Sequence, residues 1–234
     1  MEVWRKFIVL GILSQIVGIL AVILMGVWMG YYLGGFGWGY KNKLKFNYHP
    51  LLVTVGLIFI YGDAILVYRI FRKEKKLYIK ILHMVLQLAA FTITVIGVKA
   101  VFSTHSDEDA ANLYSIHGWL GILTIILFGL QFVMGFIFYL LPAMSEPLKA
   151  WYMSSHRYWG VAIFVMAITT ALVGTMEEVG FKIRDYSSRP AQAYVVNFMA
   201  MSLVVFGWLV TYLVTKPEYK RDDNAYTSTL EEAR

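Results

Sequence analysis

Apolar residues run in six long stretches, roughly 7–33, 48–70, 79–101, 113–141, 154–176 and 192–215, separated by short segments that hold most of the charge. Each is long enough to cross a bilayer core as a helix of about 20 residues. The first carries no Asp, Glu, Lys, Arg or His between Phe7 and Tyr40. It is too long for a signal-peptide core and shows no small-residue cleavage site, so it is expected as a retained anchor. One carboxylate, Asp63, interrupts the second stretch. Burial at mid-bilayer costs a carboxylate about 2.5–3.5 kcal/mol, which predicts a place near a helix end or facing the bundle. The pattern predicts an all-α integral membrane fold of six transmembrane helices. Segments two to five form a central four-helix bundle, with one and six as outer supports.

Composition agrees: 59% of the residues are hydrophobic and 15% charged, against about 25% charged in a soluble domain. Cys is absent, which removes disulfides, zinc–thiolate sites and iron–sulfur clusters. The net charge of +6 is arranged as membrane topology rather than as a nucleic-acid footprint. The N-terminus, the 2–3 loop, the 4–5 loop and the C-terminal tail hold 14 of the 21 Lys and Arg residues. Basic residues stay in the cytosol, so both termini are expected there; Lys41, Lys43 and Lys45 run against that bias.

Prolines and polar caps punctuate the segments. Asn47 is expected to cap a helix with Pro50 in its first turn. Pro142 and Pro147 are expected to end the fourth helix, and Pro190 and Pro217 to bracket the sixth. The membrane domain is expected over residues 1–221, followed by a polar, disordered cytosolic tail over 222–234.

Four of the five histidines stand near the starts of successive segments: His49 in the second, His83 in the third, His117 in the fourth and His156 in the fifth. Antiparallel neighbours start on opposite sides of a membrane. His49 and His117 therefore share one depth, and His83 and His156 another, about 15–20 Å away in a core of about 30 Å. Two neutral imidazoles fill both axial positions of a haem, and a four-helix bundle builds such sites from facing helices. Small residues nearby (Gly56, Gly62, Gly118, Gly121, Gly160) leave room for a flat macrocycle. The pattern alone keeps open a histidine-lined proton or metal-ion transporter without haem, which would purify colourless.

Several runs narrow this. "FNYHP" (46–50), "AILVYRIFRKEKKLYIKILH" (64–83), "NLYSIHGWLG" (112–121), "LKAWYMSSHRYWG" (148–160), "TALVG" (170–174) and "TKPEYKR" (215–221) resemble signature runs of the cytochrome b561 family, the transmembrane ascorbate-dependent reductases. The resemblance implies six helices, two haem b groups, a homodimer, and electron transfer from cytosolic ascorbate to an acceptor on the other side, ferric chelate or monodehydroascorbate. It pairs His49 with His117 and His83 with His156. It places Arg69 and Lys220 at the inner haem propionates, and Asn112, Tyr114, Ser115 and Glu177 around the outer haem. Lys76, Lys80 and Lys149 correspond to an ascorbate site. Lys76, Lys80 and His83 also fall on one helical face by their spacing, and a basic funnel attracts a monoanion such as ascorbate. His105, read as a loop histidine, stands where relatives with ferric reductase activity bind substrate or metal. Gln87 stands where some relatives carry an extra histidine. Plasma membrane, secretory vesicle and endolysosomal membrane all stay open.

Overall fold

The computed structural model describes residues 2–142 and 144–221; the expected tail over 222–234 lies outside them. Six long helices follow one another: α1 (Glu2–Tyr32), α2 (Lys43–Ile70), α3 (Lys76–Asp107), α4 (Ile116–Tyr139), α5 (Glu146–Lys182) and α6 (Ala191–Thr215). Their length and apolar composition make this a multi-pass membrane protein. With no water in the bilayer core, only a helix satisfies every backbone N–H and C=O within its own segment.

The helices overshoot the apolar stretches. The 37 residues of α5 rise about 55 Å, well beyond a core of about 30 Å. Its first turns and the last turn of α3 therefore carry charge outside the hydrocarbon, where hydropathy gives no signal. α2 is not uniform: it widens into a π-helix over Thr54–Ile60 before returning to α-helix over Tyr61–Ile70. Such a bulge turns the faces that follow it.

Both described chain ends gather at one end of the bundle. Phe7 of α1 packs edge-on against Tyr219 at 5.1 Å, and Arg221 donates to the carbonyl of Glu74 in the 2–3 loop. We call this the terminal end. α1 and α6 pack together through Phe206, whose ring lies so close to Gly18 and Gly62 that a Cβ on either would sit 2.7–2.9 Å from it. At the other end an ion pair between Lys45 and Asp107 ties the first turn of α2 to α3.

Three sequence expectations change here. Asn47 does not cap its own helix. It is buried, and its Nδ2 donates to the carbonyls of Met29, Leu33 and Gly35 at 3.2, 3.1 and 2.7 Å, closing the C-terminal end of α1. The carbonyls left over there have a stronger claim on an amide donor than the α2 amides have on its oxygen. Pro147 does not end α4 but opens α5, where the missing N–H costs nothing. His105 lies in the last turn of α3 rather than in a loop. Asp63 meets the expectation of facing the bundle: Gln15 of α1 donates to its Oδ1 at 2.7 Å.

Candidate functional site

α2, α3, α4 and α5 bring the four histidines together as two pairs. The rings of His49 and His117 have centroids 6.0 Å apart, at the end opposite the termini. Those of His83 and His156 are 6.3 Å apart, toward the terminal end. Metal–imidazole bonds of about 2 Å put the centroids of two rings on opposite sides of one metal about 6 Å apart, so both pairs have axial spacing. Among the described residues no three His, Asp or Glu side chains converge as a metal site; the histidines come strictly in twos.

Three of the rings are aimed by hydrogen bonds from Nδ1 to backbone carbonyls. His49 bonds Gly97 at 3.3 Å, His83 bonds Ala64 at 2.7 Å and His117 bonds Thr170 at 3.0 Å. A carbonyl accepts only from N–H, so each of these rings carries its proton on Nδ1 and leaves Nε2 unprotonated, its lone pair available to a metal, the usual outer-shell arrangement of a ligand histidine. Among the described residues the buried Nδ1 of His156 has no such acceptor. That ring is held instead through its backbone, whose carbonyl accepts from Gln131 at 2.6 Å. The two levels are fixed by the helices themselves. His83 and Gly97 on α3 are fourteen residues apart, as are His156 and Thr170 on α5, which is about 21 Å of rise. This slightly exceeds the 15–20 Å expected from segment starts.

Two glycines lie against the rings: Gly135, outside every signature run, and Gly174, the last residue of the run TALVG. A Cβ on Gly174 would run into the ring of His117, and one on Gly135 would lie 3.0 Å from Cε1 of His156. The pair at the terminal end also has an aromatic surround that the sequence reading missed: Tyr68 lies 5.6 Å from His83, and Tyr139 and Tyr152 lie 5.3 and 6.0 Å from His156.

Beyond this pair, Lys80 donates to the carbonyl of Tyr139 at 3.3 Å, and the hydroxyl of Tyr139 donates to the carbonyl of Lys149 at 3.2 Å. Lys76 stands one helical turn before Lys80 on α3, so the three lysines expected to act together gather around Tyr139. Glu146, absent from the sequence reading, joins them by pairing with Lys149 at 2.7 Å. Arg69 donates through Nη2 to the carbonyl of Val214, while its Nη1 is buried without a partner among the described residues; that orphan donor suits an anionic group. Lys220 is exposed after the turn Pro217–Tyr219.

At the opposite end His105 and Asn112 are in contact, Nδ1 to Oδ1 at 3.0 Å. Ser115 caps α4 by accepting from the N–H of Gly118 at 3.3 Å. Tyr114 lies against Glu177; partial burial and that carboxylate together raise its phenol above the ordinary range.

A family model for eukaryotic cytochrome b561 matches residues 48–182, which contain all four paired histidines. The transmembrane ascorbate-dependent reductase of Pongo abelii is 41% identical over 218 residues, covering 93% of this chain and 86% of its own length. The enzyme of the same name from Mus musculus is 40% identical over the same extent. A plasma membrane ascorbate-dependent reductase of Xenopus tropicalis is 40% identical over 225 residues, covering 94% of this chain and 79% of its own length.

Proposed function

Because the chain belongs to the eukaryotic cytochrome b561 family, we propose that it is a transmembrane ascorbate-dependent oxidoreductase that binds two haem b groups. One is held by His83 and His156, the other by His49 and His117. The observation that carries this reading is the pair of centroid spacings, 6.0 and 6.3 Å, at two depths of one bundle. Bound haem supplies one-electron redox chemistry; the chain supplies ligands, orientation and electrostatics. The ring-facing sides of Gly135 and Gly174 keep the imidazoles close to their helices, and Arg69, with Lys220 at the same end, offers positive charge to propionates. Asn112, Tyr114, Ser115 and Glu177 line the opposite haem edge.

Both termini are cytosolic in this reading, so the terminal end is the donor side. Lys76, Lys80 and Lys149 attract and orient ascorbate, whose single negative charge suits a basic funnel. Glu146 tempers that funnel. On the other side the acceptor is ferric chelate or monodehydroascorbate, with His105 as a contact, already oriented by Asn112. A homodimer is part of the proposal, as is residence in the plasma membrane, a secretory vesicle or an endolysosomal membrane.

The test is reconstitution of purified protein in liposomes with ascorbate trapped on the terminal side. The account expects reduction of an external ferric chelate or of monodehydroascorbate, without leakage of ascorbate. A colourless preparation that instead carries protons or metal ions would replace it with a transporter.

A further inference from the structure

At the end opposite the termini a cavity of about 380 Å³ is lined by Lys45, Lys99, Phe102, Ser103, Ser106 and Asp107. Lys45 and Asp107 neutralise one another, which leaves Lys99 as the net charge of the cavity. Lys99 has no ion-pair or hydrogen-bond partner among the described residues. Ser103 and Ser106 follow it at i+4 and i+7, so two hydroxyls share its helical face.

That face is not the one that meets the histidines. α3 turns Ala90, Thr94, Gly97 and Ala100 into the bundle, and Gly97 is the acceptor for His49. The opposite stripe exposes Val85, Leu88, Val95 and Ile96, and Lys99 continues it while remaining exposed. A cation eight residues inside the end of a membrane-spanning helix is costly in hydrocarbon, so its stem follows the apolar surface while its ammonium reaches for the polar boundary. The partner this stripe presents to it is a lipid: acyl chains along Val95 and Ile96, then one negative group at the level of Lys99, Ser103 and Ser106.

We infer that this cavity binds the phosphate of a phospholipid headgroup, with Lys99 as the counter-charge and Ser103 and Ser106 as hydroxyl donors. Phe102 closes the apolar side. The Lys45–Asp107 pair forms the far wall and limits the site to a single net negative charge. None of these residues belongs to the histidine pairs or to the ascorbate funnel, so the inference stands apart from the proposed electron transfer.

The test is native mass spectrometry of the purified full chain in maltoside detergent with phosphatidylglycerol added. Wild type is expected to retain one more lipid per chain than Lys99→Met, whose occupancy falls about fivefold; Lys99→Arg restores it. Soluble glycerol phosphate at millimolar concentration leaves the count unchanged. Equal retention by Lys99→Met overturns the inference, and displacement by glycerol phosphate assigns the site to a soluble anion instead. A change of oligomeric state in Lys99→Met at unchanged lipid count assigns the stripe to a second copy of the chain and also overturns it. Unaltered visible absorption of both variants certifies the fold.

Discussion

Nδ1 of His83 on α3 donates to the carbonyl of Ala64 on α2, while Nδ1 of His49 on α2 donates to the carbonyl of Gly97 on α3. The two helices thus orient each other's histidines, one at each level of the bundle. α4 and α5 repeat only half of this exchange: His117 bonds Thr170, and His156 finds no acceptor in return among the described residues. An outer-shell acceptor raises the basicity of an imidazole ligand and fixes its tautomer. The four rings are therefore not equivalent, and the pair at the terminal end is the less tightly specified.

The glycines against the rings give the first prediction. Gly174→Ala pushes a methyl group into the ring of His117, and the ring escapes only by turning away from its bond to Thr170 or by a shift of the helices. The variant is expected to lose about half of the b-type absorbance, all of it from the haem opposite the terminal end. Gly135→Val is expected to lose the other half by displacing His156. Potentiometric titration of each purified variant checks which component remains.

The lysine cluster gives the second. Lys80→Ala is expected to raise the apparent KM for ascorbate by about tenfold or more, the value of one charge-assisted contact, with little change in kcat. Glu146→Gln releases Lys149 and is expected to lower that KM by about twofold to fivefold. Steady-state kinetics at two ionic strengths check both, since screening shrinks each effect.

The contact of Gln15 with Asp63 gives the third. Gln15→Leu leaves the carboxylate without its donor and is expected to destabilise the bundle by about 1–3 kcal/mol. Adding Asp63→Leu is expected to recover most of that loss, because an apolar pair replaces a polar one. Unfolding in mixed micelles of the two single variants and the double variant reads the coupling directly.

Much of this arrangement was legible in the sequence. Six apolar runs and four histidines at alternating segment starts led to the bundle and to the pairing, because helix length and direction follow from hydropathy alone. Hydropathy falls silent where the helices leave the bilayer, so the helical position of His105 and the long entry of α5 went unseen. Asn47 has the local habit of a cap, whereas its donors serve α1, a partner twelve to eighteen residues away. Glu146, Gly135 and Tyr139 lie outside the signature runs, and Gly174 and Tyr152 lie within them with no chemistry of their own to mark them; only packing between helices distant in sequence brings them to the site.

The most direct measurement is haem content per chain, by pyridine haemochrome assay against amino-acid analysis of the purified protein. The account predicts two haem b groups in the wild type and one in His83→Ala, the survivor being the group between His49 and His117. A wild-type protein with one haem or none, or a His83→Ala variant that keeps both, would contradict it.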